Sequence, residues 1–319
     1  MLFEKLVVKM YRGMAYTRCD DNGTAYYFSS EDFPGLQKQS CVFASSRGHD
    51  LQGYLYRYEN TVPGRLIVFD HGFGGGHLSY MKEIEMLCRH GYAVFAYDHT
   101  GCMESGGESP NGMAQSLCDL NDCIAMLKKD PRFAGLDISV MGHSWGGFST
   151  LNIAALHPDI SHVVVLSGFV SVEMLVNSYF GGIMKGYRKT VMKLEKEANP
   201  VFVQYNATES LQKTTAKVLL IYSDNDQMCH KAVHYDALQK ALADKENIEM
   251  LLEKGKGHNP NYTADAVGYL GEYVSAKTKL MKKSPTEEEK AAFVRSWDWN
   301  RMTAQDDMVW KKIFACLDT

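Results

Sequence analysis

From residue 65 onward, the apolar and polar positions of this chain alternate between two periods. Short runs dense in β-branched and aromatic residues read as buried strands: Arg65–Asp70 (RLIVFD), Ala93–Tyr97, Leu136–Met141, Val163–Leu166, Val218–Tyr222 and Ile248–Leu252. Between them, Leu78–His90, Met113–Lys129, Gly147–His157, His230–Ala243 and Tyr262–Lys279 place apolar residues at helical spacing. Gly91, Asp130-Pro131 and His157-Pro158 supply stop signals after the first three of these. Strand and helix in alternation predict an α/β fold, a mainly parallel sheet with helices on both faces and right-handed crossovers. Such sheets bind ligands at the carboxyl ends of their strands.

Three regions fall outside the alternation. Residues 1–64 contain two-residue periodicity, notably Asp50–Tyr58 (DLQGYLYRY), and predict leading antiparallel strands. Residues 169–215 separate two sheet strands by an unusually long stretch. It carries Met174, Tyr179, Phe180, Met184, Tyr187 and Met192, with Gly181-Gly182 and Gly186, and predicts a mobile cap over the strand ends. Residues 284–319 predict a C-terminal helical extension. Ser284-Pro285-Thr286-Glu287 reads as a capping box with proline at the first helical position, and Thr303–Asp306 as the start of a second helix. The expected organisation is a core of residues 1–168 and 216–283, a cap at 169–215 and an extension at 284–319. Trp297, Trp299 and Trp310 either dock the extension on the core, the favoured expectation, or form a homodimer interface.

Composition narrows the function classes. The 319 residues are 45% hydrophobic and 23% charged, the balance of a soluble globular protein. A formal net charge of −4, without Lys/Arg clusters interleaved by aromatics, gives no basis for nucleic-acid binding. No apolar run reaches membrane-spanning length, and Met1–Met10 mixes charged with apolar residues unlike a signal peptide. Eight scattered cysteines without a CxxC pair read as reduced, mostly buried thiols, so the expected location is cytoplasmic. No Cys/His spacing supports a zinc site.

Gly142-His143-Ser144-Trp145-Gly146 lies between the strand run ending at Met141 and the helical run that follows. A Gly-x-Ser-x-Gly in that setting predicts a nucleophile elbow, with a strained serine whose Oγ is exposed and glycines where side chains would collide. A serine hydroxyl needs a base, and the base an orienting acid. Two loops follow in the chain order acid then histidine. Tyr222–Met228 (YSDNDQM) offers Asp226, with Asp224 as a turn-shaping neighbour, and Lys254–Pro260 (KGKGHNP) offers His258. An oxyanion hole requires two backbone N–H donors. The residue after the nucleophile, Trp145, supplies one, and the loop His71–Gly76 (HGFGGG) supplies the other at Phe73. That glycine-rich loop lacks the Lys-Ser/Thr of a phosphate-binding loop, and no GxGxxG is present.

Together these residues resemble the α/β-hydrolase superfamily, in its serine esterase, lipase and serine aminopeptidase-like branch. The resemblance spans about residues 40–280 and implies the α/β-hydrolase fold, with Ser144, Asp226 and His258 as catalytic residues and the Phe73 and Trp145 amides as oxyanion donors. One segment departs: Asp98–Gly106 (DHTGCMESG) is similar to the family's D-x-R-G-x-G-x-S-x-G, but Thr100 stands for the arginine and Met103 for the second glycine. The expected activity is hydrolysis of a small or medium apolar or aromatic carboxylic ester through an acyl-enzyme, with no metal or organic cofactor. An amidase or aminopeptidase-like reading needs a carboxylate to hold a free amino terminus, for which Glu104, Glu173 and Glu195 are candidates. A binding protein on a hydrolase scaffold is the alternative of another class.

Overall fold

The computed structural model describes residues 2–319 and contains one eight-stranded sheet. Its strands are β1 (Gln37–Ala44), β2 (Asp50–Arg57), β3 (Arg65–Asp70), β4 (Ala93–Tyr97), β5 (Asp137–His143), β6 (His162–Leu166), β7 (Lys217–Ser223) and β8 (Ile248–Glu253). They lie in the order β1-β2-β4-β3-β5-β6-β7-β8. β2 is antiparallel to both β1 and β4, and every other pairing is parallel. This is the α/β-hydrolase fold. The helices are α1 (Leu2–Ala15), α2 (Met81–Arg89), α3 (Gln115–Lys129), α4 (Ser144–Ile153), α5 (Val172–Tyr179) and α6 (Arg188–Ala198). They continue with α7 (Ala207–Gln212), α8 (Tyr235–Ala241), α9 (Ala264–Met281), α10 (Glu287–Arg295), α11 (Trp299–Met302) and α12 (Asp307–Leu317).

The two-residue period of the strands produces two hydrophobic layers. Leu66, Val68, Val140 and Val165 point to one face and pack with Leu117, Phe148, Leu151 and Leu238 of α3, α4 and α8. Ile67, Phe69, Met141 and Val164 point to the other and pack with Ile84 and Leu87 of α2 and with Trp310 and Ile313 of α12. The C-terminal extension thus covers part of the sheet. Trp310 is buried, and its indole N–H donates to Gln305 Oε1 at 2.8 Å. Trp297 and Trp299 pack on Tyr269 and Tyr273 of α9, with ring centroids 5.1 and 5.3 Å apart. All three tryptophans dock within the chain.

Several boundaries differ from expectation. Residues 37–57 do form the antiparallel β1–β2 pair, but Leu2–Ala15 is a helix. Val7, Tyr11 and Ala15, four residues apart, give it a buried stripe that a reading tuned to two-residue alternation passes over. The capping box of α10 is Thr286 with Glu289, two residues beyond the predicted one, because Ser284 takes a positive φ and leaves Thr286 as the extended cap. The helix expected from His230 begins at Tyr235. No helix among the described residues is long and apolar enough to cross a membrane.

Candidate active site

Parallel register puts the relevant loops side by side. Asp70 of β3 pairs with Gly142 of β5, so the His71–Gly76 loop leaves the sheet beside the elbow. Ser223 of β7 pairs with Glu253 of β8, so the Asp226 and His258 loops emerge together. At the elbow Ser144 has φ 56°, left-handed backbone that costs a non-glycine residue on the order of 1–3 kcal/mol. The glycines permit it. A Cβ at Gly146 would overlap the Asp70 carbonyl of β3, and one at Gly142 would overlap Thr150 Oγ1. The turn is anchored from behind by Trp145, whose indole N–H donates to the Met113 carbonyl at 2.6 Å.

Ser144 Oγ lies 2.8 Å from His258 Nε2. His258 Nδ1 lies 2.8 and 3.0 Å from the two Asp226 oxygens. Asp226 Oδ1 also accepts the Met228 and Cys229 amides at 2.7 and 3.0 Å. Burial pushes the Asp226 carboxyl up, but the bond and charge of His258, with those two amides, outweigh it and hold the group below its usual range. The three predicted side chains therefore meet in one chain of hydrogen bonds. Asp224 instead accepts the Gly255 amide at 2.8 Å. Beside it, Ser223 Oγ accepts the Lys256 amide and Asn225 Oδ1 the Gly257 amide, so three successive side chains fix the approach to His258.

Phe73 and Trp145 pack edge to face with ring centroids 5.1 Å apart. Among the described residues the Phe73 amide donates no hydrogen bond, and the Trp145 amide lies in the first turn of α4, where helix amides lack helical acceptors. Both residues line a cavity of about 480 Å³ that also exposes Ser144. Its walls are Met113, Phe169, Leu175, Val176, Phe180 and Met184, together with Val7, Met10, Tyr11 and Met14 of α1. The contribution of α1 was not foreseen.

Sequence reasoning also missed His143. Its imidazole lies 4.7 Å from that of His258, centroid to centroid, and its Nε2–H donates to the His258 carbonyl at 2.8 Å. Its Nδ1 accepts from Tyr80 Oη–H at 2.8 Å, and Tyr80 Oη accepts the Gly72 amide at 3.1 Å. Burial, with His258 beside it, pushes His143 down to about 3, so it is neutral and keeps this donor–acceptor arrangement. The relay ties the glycine-rich loop, the elbow and the His258 loop together. The variable position inside Gly-x-Ser-x-Gly gave no signal of this. A guanidinium also reaches the segment where Thr100 replaces arginine. Arg18 donates to the carbonyls of Met103, Ser105 and Gly107 at 2.5, 3.0 and 2.7 Å.

Asp226, Cys229 and His258 bring a carboxylate, a thiol and an imidazole within 4.8 Å. Burial holds the Cys229 thiol well above its usual pKa, away from the thiolate that metal ligation requires, and both Asp226 oxygens are already engaged. These residues fit an acid–base pair better than a metal centre.

The family model described as "Hydrolase_4: Serine aminopeptidase, S33" matches residues 61–204. The chain is 30% identical over 137 residues to uncharacterized protein YqkD of Bacillus subtilis (strain 168), covering 43% of each protein. It is 30% identical over 132 residues to bifunctional epoxide hydrolase 2 of Sus scrofa, covering 40% of this chain and 23% of that protein. The chain thus matches less than half the length of these curated relatives. Esterase Pf2001 of Pyrococcus furiosus superposes with a TM-score of 0.59 at 16% identity, covering 86% of this chain and 97% of that one. The chain is thus similar to these hydrolases over less than half its length and shares the α/β-hydrolase fold with the esterase.

Proposed function

We propose that the protein is a serine hydrolase that cleaves carboxylic esters with a small or medium apolar or aromatic group. The observation that carries this reading is the Asp226–His258–Ser144 chain of hydrogen bonds opening into an apolar cavity of about 480 Å³. Ser144 Oγ attacks the ester carbonyl as His258 Nε2 takes its proton. Asp226 keeps Nδ1 protonated and stabilises the imidazolium. The Phe73 and Trp145 amides hold the oxyanion. His258 returns its proton to the departing alcohol, then activates water to release the acid and regenerate Ser144. Residues 169–215 act as the cap, with α1 completing the wall.

The aminopeptidase-like alternative lacks its anchor. Glu195 is buried, accepting Tyr11 Oη–H at 2.6 Å and the Met113 amide at 2.8 Å, which ties α6 to α1 and the core. Glu104 accepts Tyr54 Oη–H, and Glu173 lines a separate polar pocket with Lys185, Arg188 and Lys189. Among the described residues no Asp or Glu lines the cavity at Ser144, so an ammonium group there has no carboxylate partner. A fluorophosphonate probe is expected to label Ser144 and to leave the Ser144→Ala protein unlabelled. p-Nitrophenyl butyrate is expected to turn over far faster than leucine p-nitroanilide. Failure to label folded protein would point to a binding protein on a hydrolase scaffold, and the reverse substrate order to a peptidase.

A further inference from the structure

Helix α1 carries two apolar stripes. Val7, Tyr11 and Ala15 are buried. Phe3, Leu6, Met10 and Met14 share the adjacent face and are 61%, 49%, 65% and 53% exposed. A contiguous exposed stripe of large apolar side chains is unusual on a soluble surface and marks a contact surface. This one ends at the cavity mouth, because Met10 and Met14 are also wall residues. Tyr179 and Met228 also line the cavity and are themselves about half exposed. Ile183, 93% exposed, stands next to the wall residue Met184.

The charge of the two segments that carry this apolar surface is opposite to that of the whole protein. Residues 2–15 and 181–198 hold eight Lys or Arg against three Asp or Glu, one of them the buried Glu195, in a chain of formal net charge −4. Lys5 and Lys9 are exposed on α1, and Lys185 is exposed two residues after Ile183 on the cap. An exposed apolar helix face bordered by lysines suits the boundary between headgroups and acyl chains. Basic side chains at such a face favour anionic lipid. A second copy of the chain would bring the same cations against each other across a two-fold axis.

We propose that this face docks on an anionic lipid–water interface. α1 lies in the plane of the interface, Phe3, Leu6 and Ile183 are immersed, and Lys5, Lys9 and Lys185 sit at headgroup level. The apolar cavity then opens toward the lipid, giving apolar molecules a route to Ser144 that avoids water. Docking does not depend on the esterase reading, and its test uses a protein that cannot perform that chemistry.

The full chain carrying Ser144→Ala is sedimented with vesicles of phosphatidylcholine, or of equal parts phosphatidylcholine and phosphatidylglycerol. Partition onto the anionic vesicles is expected to be at least about tenfold stronger at low salt and to fall as salt is added. Leu6→Asp with Ile183→Asp is expected to weaken it by about tenfold or more. Lys5→Ala, Lys9→Ala and Lys185→Ala combined should remove the preference for anionic vesicles while circular dichroism reports an unchanged fold. Equal partition onto both vesicles, or anionic binding untouched by the Asp substitutions, would overturn the proposal. So would a dimer in solution that the Asp substitutions dissociate while neither form binds vesicles.

Discussion

Replacing Asp226 by Asn tests the proposed chemistry at its least exposed point. The carboxylate accepts three N–H groups: His258 Nδ1–H through both oxygens, and the Met228 and Cys229 amides through Oδ1. In the Asp226→Asn protein the new side-chain amide oxygen keeps both backbone bonds, so the loop stays in place. The NH₂ group then occupies the Oδ2 position, 2.8 Å from His258 Nδ1, where two donors cannot face each other. His258 resolves this by moving its proton to Nε2, which turns the base beside Ser144 Oγ into a donor. Losing the correct tautomer and the stabilised imidazolium is worth about 10⁴-fold in kcat, or ~5.5 kcal/mol at ~1.4 kcal/mol per decade. KM should stay nearly constant, because Asp226 does not line the cavity. The stability cost is smaller, ~1.5–3 kcal/mol for the lost charge-assisted bond. Its sign follows from the depressed pKa: Asp226 stabilises the fold above its unfolded value of 3.8, and the contribution disappears as pH falls through the folded value. Steady-state hydrolysis of p-nitrophenyl butyrate, with thermal melts at pH 7 and pH 3, measures both effects. A folded Asp226→Asn protein within about tenfold of the parental kcat would refute the assigned role.

Tyr80→Phe removes the donor to His143 Nδ1 and the acceptor of the Gly72 amide, and should lower kcat about tenfold at constant KM by loosening the link between the glycine-rich and His258 loops. Val176→Phe narrows the cavity, so kcat/KM should fall about 10–100-fold for an octanoate ester and little for acetate in a p-nitrophenyl ester series. Stability should fall between pH 6.5 and 5, by about 2 kcal/mol for each of His71 and His143. Burial lowers both to about 3, so over that window the unfolded chain binds protons the folded chain refuses. Urea midpoints across that range check it. A second effect acts above neutrality: Asp70 and Asp119 outweigh burial and raise His99 to about 9, so its stabilisation is complete below pH 6.5 and is lost as pH rises through 9.

Much of this protein is written locally. The strand runs from Arg65 to Leu252 identify themselves because both faces of the sheet are covered, which demands continuous β-branched stretches. Ser144, Asp226 and His258 are legible because each follows a strand, and their order in the chain survives folding. Spacing could not say that α1 completes the cavity beside the cap. Its stripes are compatible with any apolar partner, and tertiary packing fixes which face turns inward, with Val7 and Ala15 in the core and Tyr11 Oη–H donating to Glu195. Nor could it assign His143 or Arg18, since their partners lie from 63 to 115 residues away and up to 89 residues away, respectively. Periodicity reports which side of an element is buried. Tertiary structure alone decides what it is buried against, because that depends on strand order and register, and those set the cavity and the hydrogen bonds that hold the three loops together.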